Sequence, residues 1–216
     1  MLKAHQLFFI FIPAIFIAVF ALFIQIVQFQ PLFEKTPQNN IQNGNNSFQI
    51  PIFPEDPIVG NIKAPITLVA FEDLGCEGCK VQNQILNALQ EKYPNKIKII
   101  WKPLTVTRFP YSTEIAHQYA YCANQQEKFV EFKEIAFANN NNLSPQVVQS
   151  MAKQIELDTK KLATCLGDEK TKTYIENIKQ IAHTLNIQAV PRIFINNRQI
   201  DAPDTITQWE VLLELQ

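Results

Sequence analysis

The first 33 residues contain almost no charged side chains. Lys3 is the only lysine, arginine, aspartate or glutamate before Glu34, in a chain of 216 residues with 19 basic and 20 acidic ones. Eight of the 16 phenylalanines also precede residue 34, so the overall hydrophobic content of 47% overstates that of the remainder. The missing charge therefore separates an apolar N-terminal segment from an ordinary polar region.

An excess of charge of one sign is also missing from the rest of the chain. From Glu34 onward there are 18 basic and 20 acidic residues, a net charge of −2. This balance argues against a nucleic-acid-binding surface, which requires an excess of basic residues. Because lysine is normally exposed, we expect one lysine cluster to form a solvated edge around a strand. Its members are Lys92, Lys96, Lys98 and Lys102.

Histidine and methionine are scarce, with three and two residues respectively. Neither His117 nor His183 stands at ligand spacing from Asp, Glu or Cys, so both are interpreted as structural. No histidine or methionine stands at ligand spacing near the cysteines described below, whereas soft-metal sites commonly recruit such residues. We therefore predict no metal ion.

Residues 7–29 form one apolar run that begins LFFIFIPAIFIAVFALFI. At about 1.5 Å per residue, a helix of this length crosses a hydrocarbon core of about 30 Å. A cleaved signal peptide is the alternative, but the run is too long and lacks a small-x-small cleavage site. We predict a transmembrane signal anchor in residues 1–33, which crosses the cell membrane once. Lys3 indicates that the N-terminus is cytoplasmic, so the rest of the chain is expected outside the cytoplasm, in the periplasm or at the cell exterior.

The segment after the apolar run is rich in amides and prolines. Residues 36–50 contain eight asparagines or glutamines and no charge. They have neither helical nor strand periodicity, which predicts a flexible tether. Prolines extend this tether, which we place at residues 34–57, and the folded domain is expected over residues 58–216.

Two cysteines lie at a predicted strand-to-helix junction. The apolar run Ile66 to Phe71 is followed by Cys76-Glu77-Gly78-Cys79 and then by a helical pattern. A helix N-terminus favours negative charge and lowers the pKa of a cysteine placed there. Cys79, one turn on, can attack a mixed disulfide formed by Cys76. The pattern predicts a dithiol redox site, with a purely structural disulfide as the alternative.

The rest of the domain has an αβ pattern. A second strand, Lys96 to Trp101, completes a strand–helix–strand unit with a parallel pair. Several helical segments follow, with Ser144, Asp158 and Asp168 as N-caps. Residues 189–200 form two short strands around Asn196-Asn197, a hairpin signal, and a final amphipathic helix closes the chain.

Three motifs resemble the thioredoxin superfamily, and within it the DsbA-like branch. They are NIKAPITLVAFEDLGCEGCK, IAHQYAYCANQQEKFVEFKEIAFAN and LNIQAVPRIFINNRQI, which together extend from about residue 58 toward the C-terminus. The resemblance implies a thioredoxin-like α/β fold with an inserted helical subdomain at about residues 108–185. It also implies thiol-disulfide oxidoreductase activity that needs no cofactor.

The family pattern suggests roles for three residues. Cys76 is the expected nucleophile and Cys79 the resolving thiol, joined as the redox disulfide in the oxidised form. The resemblance implies that Pro191 is the cis-proline beside the CxxC. Its missing N–H would leave room for a substrate strand, although an ordinary loop proline is the alternative.

This sequence departs from the family at two positions. The family usually has a buried acid six residues before the first cysteine, where this chain has Ala70. Glu72 lies on the same strand face and is a candidate for the proton-handling role; a solvated acid is the alternative. Glu77-Gly78 replaces the Pro and His of the strongest oxidants. A carboxylate beside the nucleophile disfavours the thiolate, so we expect a less oxidising couple.

The remaining cysteines, Cys122 and Cys165, fall within the helical insertion. We expect a structural disulfide between them, which would close a long loop and contribute about 3–4 kcal/mol. Two buried thiols packed as small hydrophobic groups are the alternative.

These inferences combine into one functional prediction. The protein is expected to be a membrane-anchored, extracytoplasmic oxidoreductase that introduces disulfides into exported proteins. Its expected partners are reduced exported proteins, the lipid bilayer through residues 7–29, and a membrane quinone-linked reoxidase of the DsbB or VKOR type. The alternatives are a reductase or isomerase of the same fold, and a thioredoxin-fold metal-binding module with the two thiolates as ligands.

Overall fold

A five-stranded sheet forms the centre of the fold in the computed structural model, which describes residue 20 and residues 49–215. The strands are β1 (Ile58–Gly60), β2 (Ile66–Glu72), β3 (Ile97–Pro103), β4 (Arg192–Ile195) and β5 (Arg198–Ile200). Their spatial order is β1-β3-β2-β4-β5. β2 and β3 are parallel, whereas the other neighbours are antiparallel. The central pair is almost continuously apolar because both of its faces are covered.

Seven helices are present among the described residues. They are α1 (Glu77–Lys92), α2 (Glu114–Asn124), α3 (Phe129–Ala138), α4 (Pro145–Gln154), α5 (Thr159–Gly167), α6 (Glu169–Thr184) and α7 (Ile206–Leu212). α1 connects the parallel strands, and α2 to α6 all lie between β3 and β4. The predicted α/β fold with a helical insertion is therefore confirmed.

Local signals in the sequence account for several element boundaries. Ser144, Asp158 and Asp168 each accept a hydrogen bond from a backbone N–H in the first turn of α4, α5 and α6, as predicted. Asn196 and Asn197 have φ angles of 52° and 63°. Such left-handed conformations suit the tight turn between β4 and β5.

Lys102 corrects one expectation, because its side chain is completely buried rather than part of a solvated edge. Its Nζ donates to the Asp56 carboxylate and, at 2.7 Å, to the Pro51 carbonyl. The Tyr174 hydroxyl donates to the other Asp56 oxygen at 2.9 Å, and the Phe53 ring centroid lies 4.5 Å from Nζ. The segment before β1 thus crosses β3 and covers the lysine, an arrangement that strand alternation alone does not indicate.

Except for residue 20, the predicted membrane anchor lies outside the described residues, and the tether at residues 34–57 is described only from residue 49. Residues 50 and 56 are buried, so the end of that segment packs onto the domain. Within the part of the chain that the structure describes, no helix is long and apolar enough to cross a bilayer.

The buried ion pair leads to a prediction about stability. Lys102→Ala should lower the free energy of unfolding by about 3–5 kcal/mol, because it leaves the Asp56 carboxylate buried without its cation. Urea denaturation of the reduced and oxidised protein measures this loss. Lys96→Ala, at an exposed position near the start of the same strand, is the matched control and should change stability by less than about 0.5 kcal/mol. Equal stabilities of the two variants would contradict the assignment.

Candidate active site

Cys76 is the N-cap of α1, the helix that starts at Glu77. Its half-buried Sγ accepts a hydrogen bond from the backbone N–H of Cys79 at 3.2 Å. A hydrogen bond from the Cys79 thiol, supported by backbone N–H groups, lowers the pKa of Cys76 to about 7, although burial and the Asp73 charge oppose this shift. The helix N-terminus therefore holds Cys76 ready to react as a thiolate near neutral pH.

Cys79 lies behind Cys76 and is fully buried. Its Sγ accepts a hydrogen bond from the backbone N–H of Asp73 at 3.4 Å. Burial raises the pKa of Cys79 far above its ordinary value, with further contributions from the hydrogen bond to Cys76 and from the Glu72 charge. Only Cys76 of this pair is accessible to another protein's thiol or disulfide, which separates the two cysteines into an outer and an inner sulfur.

Pro191 lies directly beside this pair. The Val190–Pro191 peptide bond is cis, and the Val190 carbonyl oxygen is 3.6 Å from Cys76 Sγ. A Cβ atom placed on Gly78 would be 3.4 Å from Pro191 Cδ, so the helix and the proline are in close contact. The structure thus brings Pro191 next to Cys76 and Cys79, although more than a hundred residues separate it from them in the sequence.

A groove of about 470 Å³ opens next to Pro191. Its apolar lining comes from α1, from Pro191, and from the end of β5 with the chain after it. Its charged rim comes from Arg192, Asp201 and Asp204. Gln82 also lines it, and its Nε2 is buried with no hydrogen-bond partner among the described residues. The apolar lining residues are Gly78, Val81, Ile85, Pro191, Ile200 and Ala202. A groove of this size accommodates side chains of an extended peptide that passes Cys76.

Asp73 fixes the loop that carries Cys76. Its Oδ2 accepts hydrogen bonds from the backbone N–H groups of Val106 (2.7 Å) and Thr107 (2.6 Å), and its Oδ1 accepts one from Gly75 (3.0 Å). Although burial opposes it, these donors and His117 hold the pKa of Asp73 well below its ordinary value. Sequence reasoning missed this residue, whose only signal is its position between a strand and the CxxC.

His117 supports the same loop from α2. Its Nε2 lies 3.2 Å from the Leu74 nitrogen and 3.4 Å from Asp73 Oδ1, and its Nδ1 lies 3.0 Å from Thr105 Oγ1. A neutral ring accepts the Leu74 N–H, whereas a protonated ring donates to Asp73 instead. In either form the buried imidazole has partners on both nitrogens, as expected of a structural histidine.

Glu72 lies on the sheet face that also carries Ala70. Ala70 pairs with Trp101 on β3 and is fully buried. Glu72 is only 2% exposed, and its Oε1 has no hydrogen-bond partner among the described residues. Burial raises the pKa of Glu72 to about 7, against the opposing charge of the buried Lys133 on α3. The chain therefore has a buried acid whose charge acts on Cys79, two residues later than the family pattern places it.

Glu77 does not act as the sequence suggested. Its side chain is 69% exposed, and its Oε2 accepts a hydrogen bond from Asn140 Nδ2 at 2.6 Å and lies 3.8 Å from Lys80 Nζ. The carboxylate that opposes ionisation of Cys76 is instead Asp73. A less oxidising couple thus stays a prediction, and among the largest influences on the Cys76 pKa the opposing carboxylate is Asp73 rather than the exposed Glu77.

Cys122 and Cys165 are joined by a disulfide with an S–S distance of 2.05 Å. It connects α2 to α5 across 43 residues of sequence. Since α2 also carries His117, this crosslink fixes the helix that supports the loop around Asp73.

The lowered pKa of Cys76 predicts how its reactivity depends on pH. In the reduced protein, the rate of alkylation of Cys76 by iodoacetamide should rise with pH along a titration curve and level off at high pH. The midpoint of this curve should lie near pH 7, because the thiolate is the reactive form. A free cysteine would have its midpoint at about 8.5. Mass spectrometry of the proteolytic peptide that contains both cysteines measures the rate of Cys76 alkylation. Buried Cys79 is the internal control and should stay unmodified. A midpoint near that of a free cysteine would contradict the helix-cap geometry.

The sequence matches known proteins over most of this domain. The thioredoxin family model matches residues 53–214. Disulfide bond formation protein D of Bacillus subtilis is 24% identical over 172 residues, which cover 75% of this chain and 78% of that protein. The Na(+)/H(+) antiporter NhaA 1 of Salinispora arenicola is 24% identical over 160 residues, 74% of this chain, but the chain spans only 24% of that protein's length.

A solved structure has the same fold. The crystal structure of oxidised BdbD from Bacillus subtilis superimposes with a TM-score of 0.65 at 22% identity, covering 74% of this chain and 92% of that one. The family match, this shared fold and the dithiol beside a cis-proline agree with the resemblance found in the sequence. The chain belongs to the thioredoxin family, and within that family it is similar to the DsbA-like proteins.

Proposed function

We propose that this protein forms disulfides in exported proteins through the Cys76–Cys79 couple. The observation that carries the proposal is a low-pKa cysteine at a helix N-terminus, with a buried thiol behind it and a cis-proline beside it. In the oxidised enzyme a client thiolate attacks Cys76 Sγ, and Cys79 leaves as a thiolate. A second client thiolate then attacks the client sulfur of this mixed disulfide, and Cys76 leaves. The client loses two electrons, and the enzyme becomes a dithiol.

Glu72 is buried near Cys79 and has a pKa suited to exchanging a proton with the Cys79 sulfur. A Cys79 thiolate released into the interior needs a proton, and a buried acid with a pKa of about 7 can donate or accept one at neutral pH. Lys133 offsets the cost of the ionised carboxylate. We infer that Glu72 takes the role that the family assigns to an acid at the position of Ala70.

The groove beside Pro191 is the proposed binding site for the client polypeptide. Proline has no N–H to pair with a neighbouring strand, so an extended client can lie along it. We assign Pro191 to positioning of the client rather than to bond making.

We further propose that residues 7–29 anchor the protein in the cell membrane, with the N-terminus in the cytoplasm and the domain outside. A membrane quinone-linked reoxidase of the DsbB or VKOR type would restore the Cys76–Cys79 disulfide. The apolar run without charged residues supports the membrane anchor, and the similarity to Disulfide bond formation protein D supports a role in disulfide formation.

One observation favours a reductase or isomerase of the same fold as the second candidate. The Cys76 pKa of about 7 is close to the value of about 7 in thioredoxin, a reductant, rather than about 3.5 in DsbA. A less acidic thiolate stabilises the reduced form less. We expect a reduction potential well below the DsbA value of about −120 mV.

A direct assay tests the direction of electron flow. Oxidised full-length protein should speed the regain of activity of a reduced, unfolded ribonuclease, and Cys76→Ser should abolish this effect because the outer sulfur is lost. Equilibration of the same protein preparation with glutathione gives the reduction potential of the Cys76–Cys79 couple. Catalysed reduction of a client disulfide, with no catalysed oxidation and a potential near about −270 mV as in thioredoxin, would replace the oxidase by the reductase.

Glu72 provides a separate prediction. With a client that has a single thiol, only Cys79 can resolve the mixed disulfide, by attack on Cys76. Glu72→Gln should lengthen the life of this mixed disulfide by at least about tenfold, because the Cys79 thiol loses its proton acceptor. Rapid acid quenching and mass spectrometry measure the lifetime. An unchanged lifetime would remove Glu72 from the mechanism.

The same variant should change the pH dependence of stability. The pKa of Glu72 is raised in the folded state, so its ionisation costs stability as the pH rises from about 4.5 to about 7. Glu72→Gln removes this cost, so its stability relative to the parent should improve between pH 5 and pH 8 by up to about 3 kcal/mol. Guanidinium denaturation at both pH values measures the difference.

A further inference from the structure

One asparagine side chain joins the first turn of α1 to the loop after α3. Asn140 Nδ2 donates a hydrogen bond to Glu77 Oε2 at 2.6 Å, and Asn140 Oδ1 accepts one from Lys80 Nζ at 3.4 Å. Lys80 Nζ also lies 3.8 Å from the same Glu77 oxygen. The three side chains therefore close a ring of polar contacts, which we call the Asn140 clamp.

The Asn140 clamp is one end of a longer row of polar contacts between α1 and α3. Asn83 Nδ2 and Asn87 Nδ2 on α1 both donate to Glu134 Oε1 on α3 at 2.9 Å. Together with Glu77 and Lys80, these asparagines recur every three or four residues and so share one face of the helix. This row fixes α1 against α3, and the clamp is its end at the helix N-terminus.

The loop that carries Asn140 is itself held in place. Asn139 Nδ2 donates to the Ile135 carbonyl at 2.8 Å, and the Asn142 N–H donates to the Asn139 carbonyl at 2.8 Å. The Asn140 N–H donates to the carbonyl of the buried Phe137 at 3.3 Å. The Asn140 amide is therefore presented from a fixed backbone.

The Cys76 sulfur has its contacts elsewhere. Its Sγ accepts a hydrogen bond from the Cys79 N–H at 3.2 Å and lies 3.6 Å from the Val190 carbonyl oxygen, in the segment that precedes β4. Glu77 directly follows Cys76, yet its carboxylate is bound on the α3 side. A glutamate without such a bond rotates among several staggered rotamers, and a carboxylate that approaches a thiolate opposes ionisation of the thiol.

We propose that Asn140 is a positioning residue for the redox couple, because it holds the Glu77 carboxylate against the loop after α3 and so keeps this charge from the Cys76 sulfur. The inference rests on the proposed function in that Cys76 and Cys79 form the reacting couple. Asn140 acts through Glu77 rather than on a sulfur. The clamp explains why a carboxylate one residue from the nucleophile is not among the main influences on its ionisation.

Release of this charge should make the couple less oxidising. A carboxylate near the thiolate destabilises the reduced form, whereas the disulfide carries no charge that it could repel. In the variant Asn140→Ala, the equilibrium constant for reduction of the Cys76–Cys79 disulfide by two glutathione thiols should fall about threefold, or about 14 mV at about 30 mV per tenfold change. The midpoint of Cys76 alkylation should rise by about 0.5 on the pH scale.

A double-variant cycle separates this effect from a structural role. The full-length chain carries Asn140→Ala, Glu77→Gln, or both. Because Glu77→Gln removes the charge and keeps the size of the side chain, adding Asn140→Ala to it should change neither the equilibrium constant nor the midpoint. Asn141→Ala, at an exposed position in the same loop, is the matched control and should behave like the parent.

Salt provides a second criterion for the same variants. In 1 M KCl the Debye length is about 3 Å, so the difference between Asn140→Ala and the parent should shrink. A difference caused by altered packing would persist at this salt concentration.

Two results would overturn the proposal. If Asn140→Ala keeps the parent's equilibrium constant, whatever its stability, Asn140 is only a structural residue. If the threefold change persists with Glu77→Gln present or in 1 M KCl, its cause is packing and not charge. Both measurements use glutathione or iodoacetamide and no client protein, so their outcome is distinct from a failure of the oxidase assay.

Discussion

The carboxylate of Asp73 is the interaction on which the active site depends. A buried carboxylate is costly unless several donors surround it, and three backbone N–H groups do so here. Two of them belong to the chain leaving β3, so one side chain joins the ends of the two parallel strands. Cys76 lies three residues further on, and its position at the start of α1 follows from this connection.

The sheet makes that connection possible. Because β2 and β3 are parallel, the segments that follow them leave the sheet at the same end. The start of the helical insertion therefore lies beside the loop that leads into α1. His117 on α2 and the disulfide between Cys122 and Cys165 then support the loop from the helical side. The cis-proline side is independent of this framework, since Pro191 directly precedes β4, which pairs with the opposite side of β2. The Cys76 sulfur thus lies between the loop that Asp73 and α2 hold in place and the Pro191 segment that precedes β4.

Features with local causes could be predicted from the sequence. The strand-to-helix junction at the CxxC, the caps at Ser144, Asp158 and Asp168, and the Asn-Asn turn all depend on residues a few positions apart. The candidate dithiol was identified for the same reason.

Features that depend on distant partners could not be predicted. Lys102 is buried because a segment 46 residues earlier crosses over it, and Glu77 faces solvent because Asn140, 63 residues later, binds it. Two of the three backbone donors to Asp73 likewise come from more than 30 residues away. Charge and periodicity within a window of the sequence hold no information about such contacts. The family pattern gave a position for the buried acid, yet the burial of Glu72 needed the structure.

The cluster of Asp56, Lys102 and Tyr174 also sets an order of events during synthesis. Asp56 is made 46 residues before its cation and 118 residues before the hydroxyl that binds it. A growing chain that emerges N-terminus first therefore carries Asp56 without its full set of partners until α6 has left the ribosome. The segment before β1 can complete its docking only after α6 has emerged, when Cys76 and Cys79 have long been available but Pro191 has not yet been added to the exposed chain.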